Sequence, residues 1–176
     1  DIQTQYQSGA KSNENLADEL LAINLDSLGE LGKEQHTTLA NSIYPSACSR
    51  LYNRGSANFD VENYEAAIEN LLKVVRMDES YDSGNAMYLL AQAYEKSGDT
   101  ENAKNYYQKV SEQHSGTTLG NDAQEALESL KCRKCRKEWT IEDKEEFTKE
   151  DDVHCASSSF VLIRRQKLQR KRGHHG

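Results

Sequence analysis

The residues best equipped for chemistry lie near the end of the chain. Cys132-x2-Cys135, followed by His154-Cys155, supplies four side chains of the kind that zinc takes. One C-x2-C pair has the spacing of half a zinc site. An adjacent His-Cys pair is poor geometry for the other half, so no metal is assigned to Cys132, Cys135, His154 and Cys155. His36, His114, His174 and His175 are scattered and stand in no nucleophile motif, and no glycine-rich phosphate loop is present. Cys48 sits among small residues at an expected helix start, where a packed thiol is the ordinary role. Arg164-Arg165 and Arg170-Lys171-Arg172 would suit nucleic acid or an anionic membrane surface. No catalytic constellation emerges, and no cofactor is implied.

Any other function must come from the surface that the rest of the chain builds. The 176 residues are 36 % hydrophobic and 29 % charged, with a single proline, Pro45. Frequent Ala and Leu with so little Pro favour stacked amphipathic helices over a sheet. The net charge of −7 hides a division. Residues 1–130 carry 9 Lys/Arg against 21 Asp/Glu, while residues 131–176 carry 13 against 8. The acidic body is a poor match for nucleic acid, whose phosphates need a positive field. No run approaches the roughly 18–20 apolar residues that span a bilayer, so no membrane insertion is expected. The chain shows no signal peptide and does not begin with Met. It therefore reads as a processed or excised piece whose address lay upstream.

A repeat occupies the middle of the chain. Leu51-Tyr-Asn-Arg-Gly55-Ser-Ala-Asn58, then Asn63-Tyr-Glu-Ala-Ala67-Ile68 and Leu71-Leu-Lys-Val74, form one unit. Met87-Tyr-Leu-Leu90-Ala91-Gln-Ala-Tyr94, then Gly98-Asp99, Ala103 and Tyr106-Tyr-Gln-Lys-Val110, form the next, 36 residues later. Small residues at Gly55/Ala91 and Ala67/Ala103 let two antiparallel helices approach closely, and larger ones at Leu51/Met87 and Leu71/Tyr107 fill the gaps beside them. Glu62-Asn63 and Gly98-Asp99 supply the turn, since Gly and Asn tolerate the left-handed conformation. Asn63 or Asp99 then caps the following helix.

This pattern resembles the tetratricopeptide repeat family. Leu51 and Met87 stand at its Trp place, Arg54 and Leu90 at its Leu place, and Gly55 and Ala91 at its Gly place. Asn58 and Tyr94 take the Tyr place, Ala67 and Ala103 match outright, and Leu71 and Tyr107 hold the aromatic position. The Pro place carries Glu79 and Ser115, so neither unit has it. The pitch implies about two extra residues in the connection around Glu79–Asn85. The resemblance implies an all-α fold: a right-handed superhelix of stacked antiparallel hairpins, with repeats near 48–81 and 84–117. A capping helix at 118–130 would close it, carrying Leu119, Ala123, Ala126, Leu127 and Leu130 on one face. The wording of residues 114–130 also resembles the end of repeat proteins of bacterial envelope assembly. That favours the extracytoplasmic face of a membrane-anchored protein, with the cytoplasm as alternative.

Before the repeats, Asn13 or Asn15 is expected to cap a helix bearing Leu16, Leu20 and Ile23. A second helix is expected at roughly Gly32–Ile43, with Pro45 in the first turn of the next. These helices would extend the stack as a divergent first repeat, making residues 13–130 one helical domain. Residues 1–12 read as a polar linker or frayed end.

A solenoid of this kind binds through the concave face lined by the first helix of each hairpin. Helical geometry puts Tyr52, Ser56 and Phe59 on that face in one unit, and Tyr88, Gln92 and Glu95 in the next. Exposed aromatic rings there would anchor a protein or peptide partner at low entropy cost. The competing reading packs Tyr52 and Tyr88 against the N-terminal helices. Chaperone-tail-binding members of the family clamp a carboxylate with Lys and Asn at such positions. Tyr, Ser and Gln stand here instead, which argues against that ligand class.

Residues 131–176 read as a disordered basic tail. The favoured expectation is that residues from about 131 onward are out-of-frame translation, which the coding DNA would settle. Lys-Cys-Arg-Lys-Cys-Arg can be encoded so that the next frame gives Asn-Ala-Gly-Asn-Ala-Gly, a soluble ending after Leu130. The expectation is therefore a non-catalytic interaction scaffold, with self-association left open. The alternative is a metal- or nucleic-acid-binding regulator acting through the tail, and a third reading is a non-catalytic part of a cell-wall enzyme.

Overall fold

The structure, a computed structural model, describes the backbone of residues 1–138 and the side chains of residues 1–130. Among the described residues it is all-helical, with seven α-helices and no strand. In order these are α1 (Ile2–Ser8), α2 (Asn13–Leu21), α3 (Glu30–Asp60), α4 (Tyr64–Met77), α5 (Asn85–Ser97), α6 (Thr100–Gln113) and α7 (Thr118–Glu138). Adjacent helices pack as antiparallel pairs, α2 and α4 both against α3, α5 against α4, and α6 against α5. No helix among the described residues is long and apolar enough to cross a membrane.

The hairpin α3–α4 closes at small residues. A Cβ placed on Gly55 would stand 2.7 Å from Cγ of Leu71, and both residues are buried. Ala67 and Leu71 are fully buried on the partner helix, so no side chain larger than hydrogen fits between them and α3. In α5–α6 the same places hold Ala91 and Tyr107. Both are buried, and the Tyr107 hydroxyl is satisfied by the Glu95 carboxylate at 2.9 Å.

Both hairpin turns use one left-handed residue followed by a side-chain cap. Gly98 takes φ 92° and Asp99 then accepts from the Asn102 amide at 3.1 Å. In the first hairpin the left-handed residue is Glu62, at φ 61°, and not Asn63, which instead caps α4 by accepting from the Ala66 amide at 3.5 Å. A non-glycine residue in this region costs roughly 1–2 kcal/mol.

The N-terminal part departs from expectation in three places. Pro45 does not open a helix: it lies inside α3, a single helix of 31 residues that joins the expected Gly32–Ile43 helix to the first repeat helix. Proline removes one amide donor and crowds the carbonyl four residues earlier. Asn41 and Pro45 are both exposed, so water can serve that carbonyl. Ala40, Ile43, Ala47, Cys48, Leu51 and Gly55 are buried on both sides of the proline, and this continuous packed face carries the helix across it. The cap of α2 is Ser12, whose hydroxyl accepts from the Asn15 amide at 3.3 Å, one residue before the expected Asn13. Residues 2–8 form a helix capped by Asp1 and ended by left-handed Gly9.

Leu16, Ala17, Leu20, Ile43 and Ala47 form one buried cluster, with Ile2, Ile23, Leu39, Tyr44 and Met77 packed around it. The cluster draws on α1, α2, α3 and the end of α4, which places the N-terminal helices in the same core as the first hairpin. His36 Nε2 donates to the Leu20 carbonyl at 3.1 Å and so serves the end of α2.

Two substitutions check these packing and turn assignments. Glu62→Gly should raise the unfolding free energy by about 1 kcal/mol, because glycine adopts the left-handed turn without steric cost. Gly55→Val should lower it by at least about 2 kcal/mol through overpacking against Leu71. Urea unfolding followed by circular dichroism measures both.

Candidate functional site

The six sequence-derived site residues fall on α3 and α5, three on each. Tyr52, Ser56 and Phe59 are half-buried near the C-terminal half of α3, and Tyr88, Gln92 and Glu95 are half-buried along α5. The Tyr52 ring meets Tyr81 at 5.5 Å between centroids, tilted 53°. Tyr88 meets the buried Tyr107 edge-on at 5.5 Å. Phe59 packs edge-on against Tyr64 at 5.6 Å, closing the tip of its own hairpin. Glu95 is engaged from beneath, since its carboxylate accepts the Tyr107 hydroxyl.

The connection between the hairpins contributes residues that the sequence did not single out. Asp78 turns the chain out of α4, and a short 3-10 turn follows at Tyr81–Gly84. Asp82 and Ser83 take φ 52° and 56°, and Gly84 takes φ 90°, so three successive residues are left-handed. Only the glycine does so without steric cost. Asn85 Nδ2 ties the turn by donating to the Asp82 carbonyl at 2.8 Å. This turn brings Tyr81 against the Tyr52 ring. The only sequence signal for it was the pitch, with its two extra residues near Glu79–Asn85.

A second joint sits at the other end of α6. A Cβ on Gly84 would fall 2.2 Å from His114 Nε2, and one on Gly120 would fall 2.2 Å from the His114 carbonyl oxygen. His114 thus occupies space that two glycines leave open. Gly84-Asn85 and Gly120-Asn121 are themselves 36 residues apart, so α7 opens in the register of a third repeat helix. Ala123 and Leu127 are buried on it, while Asp122 and Glu125 are exposed. Ser111 on α6 donates to Gln124 at 3.2 Å.

Burial and, after it, neighbouring acidic groups raise the pKa of the two tyrosines. Burial pushes the Tyr52 hydroxyl above the usual phenol range, and Asp82 and then Tyr81 add to the shift. Burial does the same for Tyr88, reinforced by Asp122, Glu95 and Glu125. Both hydroxyls therefore stay protonated at neutral pH, as donors. Cys48 lies in the middle of α3 rather than at a helix start, and is 1 % exposed. Burial, with Asp78 adding, pushes its thiol up to about 11. Among the described residues, no group of three or more His, Cys, Asp or Glu side chains is placed to hold a metal ion. The side chains of Cys132 and Cys135, and residues His154 and Cys155, lie outside the described residues.

Comparison with known proteins agrees with the register seen in the helices. A family model described as tetratricopeptide repeat matches residues 46–114, which cover α3 from just after Pro45 through to the end of α6. Comparison with curated proteins gave no match, and comparison with solved structures gave none either. Residues 46–114 are therefore tetratricopeptide repeat, a fold that commonly serves protein–protein interaction.

The state of Cys48 is directly testable. Iodoacetamide at pH 8 should leave it unmodified in the native protein and alkylate it fully in denaturant, because a buried thiol with a raised pKa supplies almost no thiolate. Peptide mapping by mass spectrometry separates Cys48 from the other cysteines.

Proposed function

We propose that the chain is a non-catalytic docking scaffold. It holds a partner peptide or helix against the face formed by Tyr52, Ser56 and Phe59 on α3 and Tyr88, Gln92 and Glu95 on α5. The observation that supports it most is the matched pair of tyrosines. Tyr52 and Tyr88 occupy the same position of successive first helices, half-buried, each with its ring steadied by another tyrosine. A ring already held in place loses little entropy when a partner covers it, which makes it an efficient anchor. The groups on this face donate and accept hydrogen bonds, but none is arranged as nucleophile and base. A bacterial envelope setting, suggested by the wording of residues 114–130, belongs to the same proposal.

Tyr52→Ala combined with Tyr88→Ala should abolish partner capture in a pull-down with the full chain, while far-UV circular dichroism stays unchanged. Capture that survives the double substitution with the fold intact overturns the reading. Loss of helicity would assign both tyrosines to the core, which also overturns it. Tyr52→Phe with Tyr88→Phe keeps the rings and should retain most of the capture.

A further inference from the structure

The connections that follow α4 and α6 meet at one place. We propose that they form a single latch: the turn Tyr81–Gly84 and the α6–α7 connection at His114 open and close together. The closed latch both seats the start of α7 and steadies the Tyr52 ring. Its use by a partner rests on the docking reading above, whereas the coupling between the two connections stands without it.

Three observations lead there. The first is the fit around His114. Its imidazole fills the space beside Gly84, where a Cβ would fall 2.2 Å from Nε2 and 2.8 Å from Cδ2 and Cε1. Its backbone does the same at Gly120, where a Cβ would fall 2.2 Å from the carbonyl oxygen and 2.8 Å from the carbonyl carbon. Both glycines are buried, and close packing of this kind passes a shift of one group to the next. The second is the state of the first turn. Asp82 and Ser83 are left-handed at a steric cost, which persists only while their surroundings over-determine it. Those surroundings are Asn85 Nδ2 on the Asp82 carbonyl at 2.8 Å, the Tyr52 ring 5.5 Å from Tyr81, and His114 at Gly84. The third is that hydrogen bonds run from His114 into α7. The His114 carbonyl accepts from the Thr117 amide at 3.1 Å and from the Thr117 hydroxyl at 2.7 Å. Thr117 in turn accepts from the Gly120 amide at its Oγ1, 3.2 Å away, and from the Asn121 amide at its carbonyl, 3.0 Å away.

Contacts therefore run without a gap from Tyr52 through Tyr81 and Gly84 to His114, and from there to Gly120 and Asn121. A continuous chain of packed groups and hydrogen bonds is the physical route by which two places can be coupled. When the first turn opens, His114 loses the neighbour that holds its ring, and the first turn of α7 loses its seat. In the other direction, a partner that covers Tyr52 holds Tyr81 beneath it and keeps the latch shut. The two anchors thus differ. Tyr88 rests on the buried Tyr107 within one hairpin and is fixed by that hairpin alone. Tyr52 is fixed by the latch.

Amide hydrogen exchange of the full chain, followed by NMR, tests the coupling without any partner. The Gly84 amide, bonded to the Ser80 carbonyl at 3.3 Å, reports the first connection, and the Gly120 and Asn121 amides report the second. The Gly98 amide, bonded to the Glu95 carbonyl at the tip of the α5–α6 hairpin, is the reference. Tyr52→Ala removes one ring pair and should speed exchange at Gly84, Gly120 and Asn121 roughly fivefold, with Gly98 unchanged. Ser83→Gly should slow the same three amides by about the same factor, because glycine takes the left-handed conformation without steric cost. Gly84→Ala should speed exchange at Gly120 and Asn121 roughly tenfold, and much less in a chain that also carries His114→Ala, where the methyl has room. A response at Gly84 without one at Gly120 and Asn121 overturns the latch, as does an equal effect of Gly84→Ala with and without His114. A uniform change that includes Gly98 means that the connections open only with the whole fold, which also overturns it. None of these outcomes touches partner capture by Tyr52 and Tyr88, so the docking reading stands or falls on its own pull-down.

Discussion

The structure depends on how closely paired helices can approach. At Gly55 the separation is so small that the Leu71 side chain occupies the place a Cβ would need. Ala67 sits one turn earlier on α4 with no exposure at all. That contact fixes the distance and rotation of α4 against α3. It thereby fixes which residues of α3 point away from the hairpin. Tyr52 and Ser56 flank Leu51 and Gly55 in sequence, so their direction follows from the close contact beside them. The second hairpin reaches the same result with a different pair. Ala91 tolerates the larger Tyr107, whose hydroxyl is then satisfied by Glu95 on the neighbouring helix.

The connections convert two hairpins into one surface. Between α4 and α5 the chain takes three left-handed residues in a row, two of them not glycine. Strain of this kind persists only where the surroundings over-determine it. Here the Asn85 side chain, the Tyr52–Tyr81 ring contact and the buried Gly84 all hold it. The next connection is spaced by His114, lodged against Gly84 and Gly120. Repeat proteins are stabilised mainly by such nearest-neighbour contacts. The long α3 adds a second layer, because this one helix packs against both α2 and α4. Its continuity through Pro45 means that the N-terminal cluster and the first hairpin share one rigid element.

Charge is distributed unevenly over this frame. Lys73 and Lys109 lie on α4 and α6, and their ion pairs reach to Asp18 and Glu79. Asp82, Asp122 and Glu125 take part in no ion pair among the described residues. Exposed ion pairs contribute little stability, so their placement matters more for the field they leave than for the fold.

The helical period, the 36-residue pitch and the pairing of small with large residues were all readable from the chain, because they are local or repeat at fixed spacing. Tyr52 and Tyr88 were readable for the same reason: each sits one place after a buried Leu51 or Met87. The sequence misled at Pro45, where local propensity says that a helix begins and tertiary burial on both flanks keeps one going. It was silent on Tyr81 and Asp82, whose roles depend on a non-repetitive turn with left-handed residues that no periodicity marks. Thus the sequence by itself determined the hairpins, their register and the candidate anchors. Only the tertiary structure decided that α3 is unbroken and that the interhairpin turn brings Tyr81 against Tyr52. The reason is physical. Periodic burial is written in neighbouring residues, whereas a turn's conformation and a site's charge depend on groups that meet only once the chain has packed.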